Sequence, residues 1–265
     1  MTASMLLSIS AIIAIVPSVL LPLRRDHGRD ILYWLVLAAA VMGPLAWVLA
    51  SYAGIWRTDL SMTIWITVAA TMVLFAATAA VASHAWRLTP LVSLYMATLA
   101  VLATAWGHAP VKTLAAPPGG WVVVHIVVAV ATYALVTVAA VSALAAFLQE
   151  RALKLKRPTA LTRELPSVAD CEDLLVRLLV LGEIVLAFGL MTGVAVQVRE
   201  TGQFLKLDHK TVLTVAAFAV IGGLLIAHFK TGLRGRMAAR IVLLGYLLLT
   251  LGYPGVKFVT DMLMR

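Results

Sequence analysis

His209-Lys210-Thr211-Val212-Leu213-Thr214-Val215-Ala216-Ala217-Phe218-Ala219-Val220-Ile221-Gly222-Gly223-Leu224-Leu225-Ile226-Ala227-His228 is the stretch that decides the fold. No residue from Thr211 to Ala227 carries a formal charge. Wound as an α-helix, the step from His209 to His228 rises about 28 Å at 1.5 Å per residue. The hydrocarbon layer of a bilayer is about 30 Å thick. The segment therefore reads as a membrane-spanning helix with an imidazole at each face.

The rest of the chain has the same character. Of its 265 residues, 62% are hydrophobic and only 12% are charged, and the mean hydropathy is +1.00. A soluble chain of this length needs a far more polar surface. In lipid only helical bundles and closed barrels satisfy their own backbone polar groups. The apolar runs are continuous and about 20 residues long, the length of a membrane helix rather than of a barrel strand. The expectation is an all-α, polytopic bundle of about eight transmembrane helices forming one integral membrane domain over 1–265. The spans fall at about 3–23, 31–56, 60–83, 89–106, 121–149, 174–198, 209–229 and 241–258. Pro17 and Gly43-Pro44 mark expected kinks. Asp170 is the expected cap of the sixth span.

The net charge is +9. In a soluble protein such an excess would raise nucleic acid as a partner. Here the basic residues sit in short loops between apolar runs, so they read as topology signals beside anionic lipid, and no nucleic acid is expected. The loops after the first, third, fifth and seventh spans hold most of the Lys and Arg, from Arg24-Arg25 through Arg151-Ala152-Leu153-Lys154-Leu155-Lys156-Arg157 to Arg234-Gly235-Arg236. The opposite side holds fewer: Arg57, Lys112, Arg199, Lys206, Lys210, Lys257 and Arg265. The positive-inside rule places the first set in the cytoplasm and both termini outside. The first apolar run lacks a basic leader and is expected to be retained as a span. The single cysteine, Cys171, excludes an intrachain disulfide, a CxxC site and a CxxCH haem-attachment motif. No nucleophile–base pair, phosphate loop or paired carboxylates point to an enzyme.

This topology sorts the six histidines. His27, His84 and His228 belong to the cytoplasmic face; His108, His125 and His209 belong to the outer face. His27 and His108 read as loop residues. His125 lies about one turn inside an apolar span, where a polar side chain faces the bundle interior. Imidazole is a common axial ligand of haem iron, and two facing helices can each supply one. The candidates are an outer pair, His125 and His209, as axial iron ligands and an inner pair, His84 and His228. Glu183, in the middle of the sixth span, is costly there unless protonated or paired. Its functional readings are a haem-propionate neighbour, a proton relay or an ion site, against a protonated acid bonded to a neighbouring helix. Arg177, nearer the basic face of the same span, is grouped with it. Ser51, Thr104, Thr192 and Thr214 are candidates for interhelical hydrogen bonds. Gly182, Gly189, Gly193, Gly222 and Gly223 permit close approach of a helix or a flat cofactor.

Several pieces in order resemble the cytochrome c assembly superfamily of membrane proteins, with its CcsA, CcmC and HemX-like branches, and its eight-span YpjD-like branch most of all. They are Trp121-Val122-Val123-Val124-His125 with Ala131-Thr132-Tyr133-Ala134, then Leu174-Leu175-Val176-Arg177-Leu178 with Gly182, then Leu190-Met191-Thr192-Gly193. His209-Lys210-Thr211, His228, Gly232-Leu233-Arg234-Gly235-Arg236 and Gly252-Tyr253-Pro254-Gly255 follow. The resemblance covers about 121–258. It implies non-covalent b-type haem, with His125 as an outer ligand and His228 as part of a second site. It also implies a place in the cytoplasmic (inner) membrane of a bacterium, with other cytochrome-assembly or respiratory membrane proteins as partners. The sequence departs from the family pattern in two places. The segment 198–208 contains no tryptophan, and Tyr253-Pro254-Gly255 stands where a second outer histidine is expected. His209 is the expected substitute. The functional expectation is a membrane protein that binds or relays haem for cytochrome biogenesis. The alternatives are a b-type electron-transfer subunit and a cofactor-free transport or scaffold subunit.

Overall fold

The computed structural model describes residues 3–24, 28–52, 56–108, 113, 118–202 and 208–259. Arg25, His27, Lys112, Lys206 and Arg265, to which the sequence assigned loop or terminal positions, lie outside the described residues. Among those described the chain is helical, and extended pairing is confined to one bridge between Arg57 and Thr113.

The long helices are α1 (Ala3–Arg24), α2 (Ile31–Tyr52), α3 (Leu60–Val81), α4 (Thr89–Ala105), α5 (Gly120–Leu155), α7 (Val168–Thr201), α8 (His209–Thr231) and α9 (Gly235–Thr250). A short α6 (Ala160–Glu164) lies between α5 and α7. A π-helical turn, Leu251–Gly255, carries α9 into α10 (Val256–Phe258). Among the described residues, seven helices or continuous helical runs are long and apolar enough to cross a membrane. The apolar part of α1, Met5–Leu21, is shorter, and α1 packs along α2 and α4 as the eighth member. Gly43, an expected bend, is where α2 meets α1: a Cβ there would lie 2.8 Å from Ala14 Cβ.

The helix ends differ from the apolar runs because a helix need not stop at the hydrocarbon border. α5 continues six residues past Gln149, to Leu155. Its polar end is held by Glu150, which pairs with Lys154 at 3.7 Å one turn on and with Arg236 at 3.5 Å. Lys156, with φ 50°, closes it in the left-handed region. α7 starts at Val168, six residues before the apolar run. Its N-cap is Ser167, not Asp170: Asp170 N–H donates to Ser167 Oγ at 3.2 Å, and the Ser167 hydroxyl donates to the Asp170 carboxylate at 2.6 Å.

The first four helices pack tightly on one another. Trp47 stacks on Trp65 with centroids 4.8 Å apart and donates its indole N–H to Ser8 Oγ at 2.8 Å. Tyr33 and Thr89 join α2 to α4 through their hydroxyls at 3.1 Å. α3 links this group to α5, and α5 and α7 run closely together. α8 and α9 complete the second group.

Candidate functional site

Between α5, α7, α8 and the π turn lies a cavity of about 400 Å³. The α7 wall is a stripe of Leu186, Gly189, Leu190, Gly193, Val194 and Gln197, spaced three and four apart as one helix face requires. α8 contributes Lys210, Thr211, Thr214 and Val215, and the last helical segment contributes Leu249, Gly252 and Tyr253. Asp208, next to the mouth, caps α8 by accepting from Thr211 N–H at 2.8 Å. The deeper walls are mainly apolar, and the polar groups Gln197, Asp208 and Lys210 gather near the ends of α7 and α8. That division suits an amphipathic guest.

His125 is the one histidine on this wall among the described residues. Its Nδ1 lies 3.1 Å from Thr192 Oγ1, and the Thr192 hydroxyl also reaches Gly189 O at 3.1 Å. Gly193 lies against the imidazole ring: a Cβ there would stand 3.1 Å from His125 Cε1. A side chain at Gly193 would displace the ring, so this glycine keeps the histidine where it is. With Nδ1 engaged, Nε2 is the nitrogen left for coordination, the arrangement in which a ligating histidine is oriented through its second nitrogen. Deeper in the cavity, Tyr133 bonds to Tyr246 Oη at 2.9 Å and to Thr250 Oγ1 at 3.2 Å, and Tyr246 is in turn bonded to Tyr95. The Tyr253 ring stands 6.4 Å from that of Tyr133.

The family model described as "Cytochrome C assembly protein" matches residues 32–264. The chain belongs to this family. It is 52% identical over 270 residues to an "Uncharacterized 28.8 kDa protein in nifR3-like 5'region" of Azospirillum brasilense, covering 100% of both chains. It is 29% identical over 181 residues to "Inner membrane protein YpjD" of Escherichia coli strain K12, covering 68% of this chain and 67% of that one. No solved structure matches.

The other expected site residues of this family member fall as follows. His209 opens α8 and is exposed, and it is not on the cavity wall. Successive residues of a helix differ by about 100°. With Lys210, Thr211, Thr214 and Val215 facing the cavity, His209 points to the far side of α8. The structure thus does not bring His209 to His125. His84 is exposed and lies 3.9 Å from Asp170, in a recess of about 220 Å³ lined also by Asp173, Leu174 and Arg177. His228 is half-buried, bonds through Nδ1 to Leu233 O at 3.0 Å, and borders a space of only about 20 Å³ with Glu172, Leu175 and Val176. Residues 170, 173, 174 and 177 occupy one face of α7; residues 172, 175 and 176 occupy the other. The first turns of α7 therefore separate His84 from His228, and the inner pair does not meet.

Arg177 is exposed and pairs with Asp173 at 2.9 Å, not with Glu183. Glu183 sits in the α7–α8 seam, where a Cβ on Gly222 would lie 2.8 Å from its Oε1. Thr192 makes an interhelical bond, whereas Thr104 and Thr214 turn back on the carbonyls of Ala100 and Lys210 in their own helices. Sequence reading named Gly193 only as a site of close approach and did not assign Lys210 or Tyr133 to the site. The adjacency of Thr192 and Gly193 in Leu190-Met191-Thr192-Gly193, on a helix facing the His125 span, was the available signal.

Proposed function

We propose that the cavity holds haem, with His125 Nε2 as an axial ligand, and that the protein binds or relays haem in cytochrome biogenesis. Family membership supports the role in cytochrome biogenesis. The observation that carries the haem assignment is His125 itself: a histidine on a cavity wall, oriented by Thr192 and cleared by Gly193. The donor set fits. A neutral imidazole nitrogen suits haem iron, the deep walls are apolar, and Lys210 near the mouth can pair with a propionate. When bound, haem supplies an iron centre with axial positions open to such a nitrogen. The chain's own residues would orient the imidazole, wall the group off from water, and offer Lys210 at the polar rim to its propionates.

The cavity faces away from the basic loops, so the positive-inside rule directs it to the outer side of the membrane. The E. coli relative's name supports the inner membrane of a bacterium as the location. The arrangement gives a two-haem electron carrier no support, because α7 parts His84 from His228.

The test is an absorption spectrum of the protein purified from a haem-replete host, followed by haemin titration. A Soret band that is lost in His125→Ala and kept in His209→Ala is the expected result. A colourless protein that takes up no haemin would overturn the assignment.

A further inference from the structure

We propose that Glu183 is a proton-binding site inside the membrane, enclosed in the α7–α8 seam beneath the cavity. This does not depend on what occupies the cavity. Glu183 stands near the middle of α7, a helix that spans 34 residues. Its Oε2 is buried without a hydrogen-bond partner among the described residues, and Oε1 fits against the bare Cα of Gly222 on α8. A carboxylate fixed in this way has no ion-pair partner among the described residues, and its charge is costly at this depth.

Position on the helix relates the carboxyl to the cavity. Glu183, Leu186, Leu190, Val194 and Gln197 follow one another at three- and four-residue steps, so Glu183 continues the α7 stripe that walls the cavity. It lies one turn below Leu186, about 4.5 Å along the axis. The lipid-facing side of α7 is instead marked by the exposed Leu181, Ile184 and Phe188. On α8, Gly222 is two turns below Val215, another wall residue, and on the same face. Glu183 is not itself a wall residue, so the carboxyl lies in the α7–α8 seam beneath the cavity floor, on the side of α7 away from the exposed Leu181, Ile184 and Phe188.

The ligand class follows from the donor set. A hard metal cation needs about six oxygen ligands, and no cluster of three or more His, Cys, Asp or Glu side chains exists among the described residues. One carboxyl with an unpartnered oxygen suits a proton. α5 and α8 are the helices packed most closely against α7 here. α5 brings His125 and Tyr133 to the cavity side; α8 brings Lys210 above and His228 below. None of these is bonded or ion-paired to Glu183, so protonation of the carboxyl itself is what neutralises it.

The experiment is infrared pH-difference spectroscopy on haem-free protein in proteoliposomes, with labelling by a lipid-soluble carbodiimide, which reacts with protonated carboxyls. The expected result is a carboxylic C=O band that titrates with pH and is missing in Glu183→Gln. Mass spectrometry should find a carbodiimide adduct at Glu183 that weakens as pH rises, while a water-soluble carbodiimide leaves the residue unmodified. A difference spectrum identical in wild type and Glu183→Gln would overturn the proposal. So would an adduct at Glu183 formed equally well by the water-soluble reagent, which would place the carboxyl in bulk water. Haem binding fails or succeeds independently, because neither measurement uses haem.

Discussion

Around His125, helices α5, α7 and α8 stand back to leave about 400 Å³, whereas around His228 the same three helices leave about 20 Å³. The cause is visible in the contacts. At the His228 end, small residues on α5 and α9, Ala143, Ala146, Ala238 and Ala239, let the helices close. Glu172 Oε1 accepts the Gly235 N–H at 2.8 Å, and Arg236 reaches Glu150. The His228 ring spends Nδ1 on a backbone carbonyl that helps end its own helix. At the other end the π turn with Pro254 interrupts regular packing of the last span, and the His125 ring is held from the side by Thr192. A histidine held through Nδ1 near a membrane border is therefore common to both ends, but only the His125 end adds space beside the ring.

The difference is sharpest at Gly193. Gly193→Val places branched carbon where the His125 ring lies, with the first added atom only 3.1 Å from Cε1. Loss of the ring position should weaken haemin binding about 100-fold, toward the behaviour of His125→Ala, in a spectrophotometric titration. Unchanged binding would show that the ring has room to move and that the cavity is not shaped around it. Thr192→Val comes next. It removes the partner of Nδ1 but leaves the ring in place, and outer partners of a ligating histidine are worth about 10- to 100-fold in affinity. A loss of about tenfold is expected, with the Soret band retained. His228→Ala should leave the titration within about twofold of wild type. An effect as large as that of Thr192→Val would erase the contrast between the two ends.

Much of this architecture was legible in the apolar runs, because a 20-residue uncharged stretch has few options in lipid. The ends of α5 and α7 were not, since Glu150, Lys154 and Ser167 stabilise helix in water, where hydropathy is silent. The depth of each histidine was also legible, but its direction was not. His209 sits one residue after the cap Asp208, and a single 100° step decides that Lys210 and Thr211 line the cavity while His209 does not. His84 and His228, the expected inner pair, stay apart for a different reason: they border spaces on opposite faces of α7, a tertiary fact with no local signal. His125 stood out because a lone imidazole in an apolar span is expensive without a purpose. Its supports, Thr192 and Gly193, are 67 and 68 residues further along the chain, and only packing reveals them.

The smallest effect on the cavity should come from the closed end. Glu172→Ala leaves the Gly235 N–H without its carboxylate partner at the tight junction where α9 begins. Gly235 has φ 66°, so the backbone there is set in a left-handed conformation that this bond helps to hold. Hydrogen bonds to charged groups contribute about 1.5–3 kcal/mol, and the variant should lose stability of about that order, read as a lower Tm in detergent. Haemin affinity should stay at the wild-type value, because neither Glu172 nor Gly235 borders the His125 cavity. If affinity fell together with Tm, the two ends would be mechanically coupled through α7, and the tight packing at His228 would be part of how the cavity is kept open.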